Sequence, residues 1–114
     1  MQEKPLQIER IEDAGAATVI LRLHGPLLLG NFFAFQSAVR ADHSNLLIVE
    51  LSDVPYIDSA GIGCLVGAHV SPSHAGRKLV LAAVSERVLG MLKATKVDQL
   101  FTFADSVDAA RTIG

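Results

Sequence analysis

The chain has 114 residues and a formal net charge of −2 at pH 7; half of its residues are hydrophobic and 19% are charged. This length is typical of one domain, which we expect to span 1–114, and the composition excludes intrinsic disorder. A slightly acidic charge balance argues against a nucleic-acid partner. The single cysteine, Cys64, excludes an internal disulfide and favours a reducing compartment. Because the chain shows neither a signal peptide nor a run of about 20 apolar residues, we expect it in the cytoplasm and not in a membrane.

The first third of the chain predicts a β-hairpin followed by a helix. Residues 6–13 alternate loosely and residues 17–24 alternate clearly between apolar and polar side chains, which favours an antiparallel hairpin at one edge of a sheet. Gly25-Pro26 ends the second strand. Asn31 is predicted to be the N-cap of a helix that extends to about Ala41.

From residue 46 onward, strands and helices are predicted to alternate. Residues 46–51 are almost wholly apolar, as in a central strand that is covered on both faces. There follow a helix over 60–70, a strand over 78–84, a helix capped by Ser85 and ending at Ala94, a short strand near 101–103 and a helix over 105–112. This order predicts an α/β fold, in which helices pack mainly on one side of a mixed sheet of four or five strands.

The turn after the 46–51 strand holds the most informative residues of the chain, Asp58 and Ser59. Loops at the carboxyl ends of parallel strands reach solvent and commonly carry function. A phosphate on Ser59 would lie near the positive end of a helix dipole, which the fold should tolerate, whereas a partner packed there would have to desolvate it. Alternatively, Ser59 is an ordinary N-cap that accepts a hydrogen bond from the N–H group of Ile62, and Asp58 only complements the dipole.

Three glycines follow in the same helix, at positions 61, 63 and 67. A glycine inside a helix costs about 1 kcal/mol relative to alanine, so each needs a reason. Access for another protein and close packing of the helix on the sheet are the two reasons that we consider. We expect access at Gly61, and we weigh the two equally at Gly63 and Gly67.

Enzyme and metal patterns are incomplete in this sequence. The nucleophile-elbow pattern Gly-x-Ser-x-Gly has Ile57 where its first glycine should stand. The glycines after Ser59 miss the Gly-x-Gly-x-x-Gly dinucleotide pattern by one residue. His69 and His74 are separated by a segment that contains Pro72, so they do not share a helix face. We therefore expect no catalytic activity, no cofactor and no metal.

The run Asp58-Ser-Ala-Gly-Ile-Gly63, with the strand and the Ser-Asp-Val-Pro-Tyr-Ile turn before it, resembles the STAS domains of bacterial anti-sigma factor antagonists. The likeness continues through 77–85 and 88–101 and so covers nearly the whole chain. In that family, the serine after the motif aspartate is phosphorylated by an anti-sigma factor that is also an ATP-dependent kinase. The unphosphorylated antagonist holds the anti-sigma factor and so frees the sigma factor.

This resemblance implies that Ser59 is the phosphoacceptor and that the partner is an anti-sigma factor with serine kinase activity, with a serine phosphatase as a further partner. Where family members have Gly-x-Leu-Asp, this chain has Gly25-Pro26-Leu27-Leu28. The resulting apolar surface, if exposed, points to a protein partner or to a homodimer; alternatively, some of these side chains fold inward. The expected partner-binding residues are Asp58, Ser59, Ala60, Gly61, Gly63, Leu27, Leu28 and Phe33.

A second reading is a constitutive interaction module within a larger sensory or transporter-associated complex. In that reading Leu27, Leu28 and Phe33 make a permanent contact, and Ser59 is only a helix cap. Phosphorylation-dependent binding separates the two readings.

Overall fold

The computed structural model describes residues 5–13, 17–70 and 76–113. Within these ranges the chain forms five strands, four helices and a short 3₁₀ turn. In chain order they are β1 (Gln7–Asp13), β2 (Thr18–His24), α1 (Phe33–Ala41), β3 (Leu46–Asp53), α2 (Ser59–Val70), β4 (Lys78–Ala82), α3 (Glu86–Ala94), the 3₁₀ turn (Asp98–Leu100), β5 (Thr102–Ala104) and α4 (Val107–Arg111).

The strands lie side by side in chain order, β1-β2-β3-β4-β5. β1 and β2 pair antiparallel, with Ile11 opposite Ile20, and the remaining strands pair in parallel. A hairpin needs only a short turn, whereas parallel neighbours need crossover connections, which α1, α2 and α3 supply. The mixed sheet with an edge hairpin is as the sequence predicts.

The two faces of the sheet carry different layers. Val19, Leu21 and Leu23 of β2 point towards the face that α1, α2 and α3 cover, whereas Ile20 points to the face that α4 covers. The central strands β3 and β4 are therefore buried on both sides, which explains their nearly continuous apolar sequence. Three of the four helices lie on one side, as expected.

Helix caps test the sequence prediction more finely. Ser85 caps α3 by accepting a hydrogen bond from the N–H group of Val88 at 3.2 Å, as predicted. The prediction for Asn31 is wrong, because α1 begins two residues later, after Phe32, without a side-chain cap. The Asn31 side chain instead closes the preceding loop: its oxygen accepts from the Leu28 N–H group at 2.8 Å, and its amide donates to the Pro26 carbonyl at 2.9 Å. The predicted stop after α2 falls partly on 71–75, outside the described residues.

Candidate functional site

The loop between β3 and α2 is held against a second loop that follows β2. Leu27 and Ile57 form an isolated parallel bridge, which extends the sheet beyond the ends of β2 and β3. The Leu27 N–H group donates to the Tyr56 carbonyl, and the Asp58 N–H group donates to the Leu27 carbonyl, each at 3.3 Å. The buried side chains of Leu27 and Ile57 anchor this junction in the core. The first turn of α2 is therefore placed by a contact between segments 30 residues apart.

Asp58 is the N-cap of α2. Its Oδ1 accepts a hydrogen bond from the N–H group of Gly61 at 2.8 Å, and its Oδ2 accepts from the N–H group of Leu29 at 3.0 Å. Burial would raise the pKa of Asp58, but the backbone N–H donors outweigh burial and hold the pKa below its ordinary 3.8. This carboxylate is consequently charged at neutral pH, and it ties the 27–29 loop to the helix.

Ser59 follows the cap and occupies the first position of the helix, where it is exposed. The alternative in which Ser59 is the N-cap is wrong, since the Asp58 carboxylate already takes the N–H group that a cap would satisfy. The Ser59 hydroxyl forms no hydrogen bond with another described residue. It is thus a surface hydroxyl that stabilises no contact in the part of the chain that the structure describes.

Gly61 has a packing role, and the expectation of access at this position is wrong. A Cβ at Gly61 would lie 2.3 Å from the Leu27 carbonyl oxygen and 3.2 Å from the Ile57 Cβ. The glycine therefore lets the 27–29 loop approach the helix backbone. At Gly63 and Gly67 an added Cβ would meet nothing within 4 Å, so these two lie on open surface, as the access reading expects.

The apolar run after β2 divides between core and surface. Leu27 and Leu28 are only 0% and 6% exposed, so the expectation that they form a partner-binding surface is wrong; the inward alternative holds for both. Leu27 is buried because it continues the sheet opposite Ile57. Phe33 is 66% exposed, and Leu29, which belongs to the same apolar run but was not among the expected partner-binding residues, is 67% exposed.

Tyr56 is the second exposed residue that sequence reasoning missed. Its side chain is 37% exposed, and the guanidinium of Arg87 lies 5.4 Å from its ring centre. It lies three residues before Ser59, in the loop that places the serine. The signal lay in its neighbour Ile57, because side chains alternate along extended backbone and Tyr56 therefore points outward when Ile57 is buried and continues the sheet.

A histidine at the end of β2 has two carboxylate partners, one of them at the end of β3. His24 Nδ1 lies 2.8 Å from Asp53 Oδ2, and Nε2 lies 2.6 Å from Glu9 Oε1. These hydrogen bonds, first the one to Asp53, raise the pKa of His24 above 6.5. Among the described residues, no cluster of His, Cys, Asp and Glu has the geometry of a metal site, and no helix is long and apolar enough to cross a membrane.

Comparison with known proteins places this geometry in a family. The family model described as STAS domain matches residues 6–110. An anti-sigma factor antagonist from Mycobacterium paratuberculosis has the same fold, with a TM-score of 0.84 and 18% identity over 98% of this chain and 97% of that chain. The anti-sigma factor antagonist SpoIIAA, in its unphosphorylated form, matches with a TM-score of 0.69 and 17% identity over 94% and 96%. A sulfate transporter family protein from Wolinella succinogenes matches with a TM-score of 0.70 and 22% identity over 85% and 84%.

At these identities the structural likenesses establish the fold alone. The family model spans nearly the whole chain, and with it the Asp58-Ser59 turn and the strands on either side. The chain belongs to the STAS domain family.

Proposed function

We propose that this protein is an anti-sigma factor antagonist. It binds an anti-sigma factor that is also a serine kinase, and it loses that partner when Ser59 carries a phosphate, thereby regulating transcription that depends on a sigma factor. The observation that supports this most is that capping the start of α2 and presenting a hydroxyl there fall to two different residues. Asp58 caps the helix, which leaves the adjacent Ser59 hydroxyl exposed and available for modification.

The surroundings of Ser59 explain why a phosphate would act on binding and not on folding. A phosphate adds about −1.5 to −2 charges at neutral pH, and the N-terminus of a helix tolerates negative charge. The exposed side chains of Leu29, Phe33 and Tyr56 are presented by this loop region and by the start of α1. A partner that packs on such apolar side chains excludes water, so it would have to desolvate the phosphate as well.

The relatives support the proposal at a coarser level. Two proteins with this fold are described as anti-sigma factor antagonists, and the structure of one represents its unphosphorylated form. The kinase partner, a resetting phosphatase and a cytoplasmic location belong to the proposal for this chain. We assign the chain a binding role without catalytic activity.

A constitutive interaction module is the second candidate function. The structural likeness to a sulfate transporter family protein favours it, because STAS folds also occur outside antagonists. In this case the exposed Leu29 and Phe33 would hold a permanent partner, and a charge at position 59 would leave that contact intact.

Affinity capture with four baits separates these functions: wild type, Ser59→Ala, Ser59→Asp and Ser37→Asp. Ser37 is an exposed serine of α1, so Ser37→Asp controls for added negative charge on the surface. We expect a protein with an ATP-binding kinase domain to be retained by every bait except Ser59→Asp. Incubation of the purified pair with ATP should then phosphorylate Ser59, as mapped by mass spectrometry. Retention of the same partner by all four baits would instead identify a constitutive module.

A further inference from the structure

A groove of about 290 Å³ separates α1 from α2 on the outer side of the helical layer. Its walls include Phe35 and Val39 of α1 and Cys64 and Ala68 of α2, all of which are buried. Binding pockets for small molecules have volumes of roughly 300–1,000 Å³, so this groove is at the lower end of that range. An α-helix with its side chains is about 10–12 Å across, which is too wide for a groove of this volume to enclose. The size favours a slender ligand over a helix of another protein.

The groove is open because two of the α2 positions that face it carry no side chain. Gly63 and Gly67 both line it, and a Cβ built on either would meet nothing within 4 Å. The buried side chains beneath them are apolar, so water in the groove has few hydrogen-bonding partners on its floor. An alkyl chain could displace that water and bury its own surface against the floor.

One wall of the groove is cationic. Gln36 and Arg40 both line it, and they lie four residues apart on α1, so their side chains leave the same face of the helix. Among the residues that the structure describes, no acidic side chain contributes to the lining and Arg40 forms no ion pair. A guanidinium presents planar paired donors that match a carboxylate, and the Gln36 amide can add another donor.

Cys64 adds no competing charge. Its thiol donates a long hydrogen bond of 3.9 Å to the Phe32 carbonyl. Burial raises the pKa of this thiol to about 11, against the smaller opposing effect of the Arg40 charge. At physiological pH the residue is therefore a neutral part of the apolar wall, and among the described residues of the lining Arg40 alone is charged.

We propose that this groove binds a medium-chain monocarboxylate. The alkyl chain lies along the open surface at Gly63 and Gly67, and the carboxylate is bound by Arg40 with help from Gln36. Charge complementarity selects the anionic head group, and the apolar floor selects the chain. Ser59 precedes Gly63 by one turn of α2 and does not line the groove, so the proposal does not depend on the function proposed above.

Titration of the ¹⁵N-labelled protein with three probes tests both halves of this recognition. Octanoate carries the chain and the charge, octanol carries the chain alone, and acetate carries the charge alone. We expect octanoate to produce saturable shifts of the Gly63, Gly67 and Arg40 amide signals. Octanol should bind about fivefold more weakly, as expected for the loss of one exposed charge pair, and acetate should produce no saturable shift. Equal affinity for octanoate and octanol, or no saturable shift with octanoate, would overturn the proposal.

Matched variants locate the site. Gly67→Leu should fill the groove and abolish octanoate binding. Gly90→Leu is its control, because Gly90 is an exposed glycine of α3 whose added Cβ also meets nothing within 4 Å. Arg40→Gln should weaken octanoate binding about fivefold and leave octanol binding unchanged, whereas Arg87→Gln should change neither.

The same spectra test whether each variant is folded and whether a second copy of the chain occupies the groove. The spectrum of each variant confirms that it is folded, and Gly63→Leu replaces Gly67→Leu if the latter is not. Octanoate binding by Gly67→Leu as strong as that of wild type would overturn the proposal. Shifts of the groove signals with protein concentration alone, before any probe is added, would assign the groove to a second copy of the chain and would also overturn it.

Discussion

Glycine has opposite roles in the first turn of α2 and in the two turns that follow. At Gly61 the missing side chain makes room for the Leu27 carbonyl, and the helix is fastened there by the Asp58 carboxylate. At Gly63 and Gly67 the missing side chains leave the surface open. Residues two apart on a helix differ by about 200° around its axis, whereas residues four apart differ by only about 40°. Gly61 therefore faces the body of the domain, while Gly63 and Gly67 share an outward face.

This difference separates what holds the fold from what is free to change. The fastened turn places Ser59 without using its hydroxyl, so modification of that hydroxyl can alter a surface while the cap stays in place. An exposed switch on a rigid support is what the proposed function requires. Alanine substitutions in the first turn and in the later turns of α2 test this difference.

Gly61→Ala should have the largest effect on stability. The new methyl group would lie 2.3 Å from the Leu27 carbonyl oxygen, which is a backbone atom and cannot rotate away. We expect the free energy of unfolding to fall by about 3 kcal/mol in urea denaturation, because the loop or the helix must shift.

Gly67→Ala is the matched comparison for that variant. Its methyl group meets nothing within 4 Å, so only the helix propensity of alanine acts, and stability should rise by about 0.5–1 kcal/mol. Equal effects of alanine at positions 61 and 67 would show that the first turn is not fastened as described.

Asp58→Ala should have the next largest effect. It removes the acceptor for the N–H groups of Gly61 and Leu29, and we expect a loss of about 1–2 kcal/mol in the free energy of unfolding. Ser59→Ala should change stability by less than about 0.5 kcal/mol, since its hydroxyl caps nothing among the described residues. If Ser59→Ala proved as destabilising as Asp58→Ala, the serine would share the cap and the division of roles would fail.

Local patterns in the sequence predict the elements of this fold, but not the contacts between distant segments. Alternating apolar and polar side chains predict β2, and a serine directly before a helical pattern predicts the cap at Ser85. The role of Gly61 depends on Leu27, which is 34 positions away, and no local signal contains that distance. Asn31 fails as a cap for a different, local reason: its side chain forms hydrogen bonds with Pro26 and Leu28, and this loop closure competes with capping of the helix.

The candidate site shows the same limit. The sequence places Ser59 at the start of a helix and supplies the motif, because both depend on neighbouring residues. The burial of Leu27 could not be read from the sequence, because it depends on the bridge to Ile57, which makes this leucine continue the sheet. The contact of His24 with Glu9 required the register between β1 and β2.

The stability contributed by contacts at the start of the β3–α2 loop should change with pH near neutrality, whereas that contributed at its end should not. Asp58 at the end has a lowered pKa, whereas His24, beside Asp53 at the start, has a pKa raised above 6.5 by hydrogen bonds first to Asp53 and then to Glu9. Arg22, two residues earlier on β2, faces Glu50 at 3.3 Å and so adds little net charge nearby. A raised folded pKa means that the stabilisation is complete below pH 6.5 and is lost as the pH rises through the folded value.

The difference in unfolding free energy between wild type and His24→Gln should therefore shrink as the pH rises above 6.5. NMR titration should place the midpoint of His24 above 6.5 and should find a lower midpoint in Asp53→Asn. The exposed His43 provides a control as His43→Gln. A difference that is independent of pH would exclude the charged contact.

The central claim is that a phosphate on Ser59 abolishes partner binding and leaves the domain folded. The most direct measurement compares the affinity of the captured partner for the unphosphorylated chain and for a chain with phosphoserine at position 59, together with the thermal unfolding of each. The account predicts an affinity loss of about 100-fold or more, from an unpaired charge buried at the interface, with little change in Tm. Equal affinity of the two forms for that partner would contradict the account.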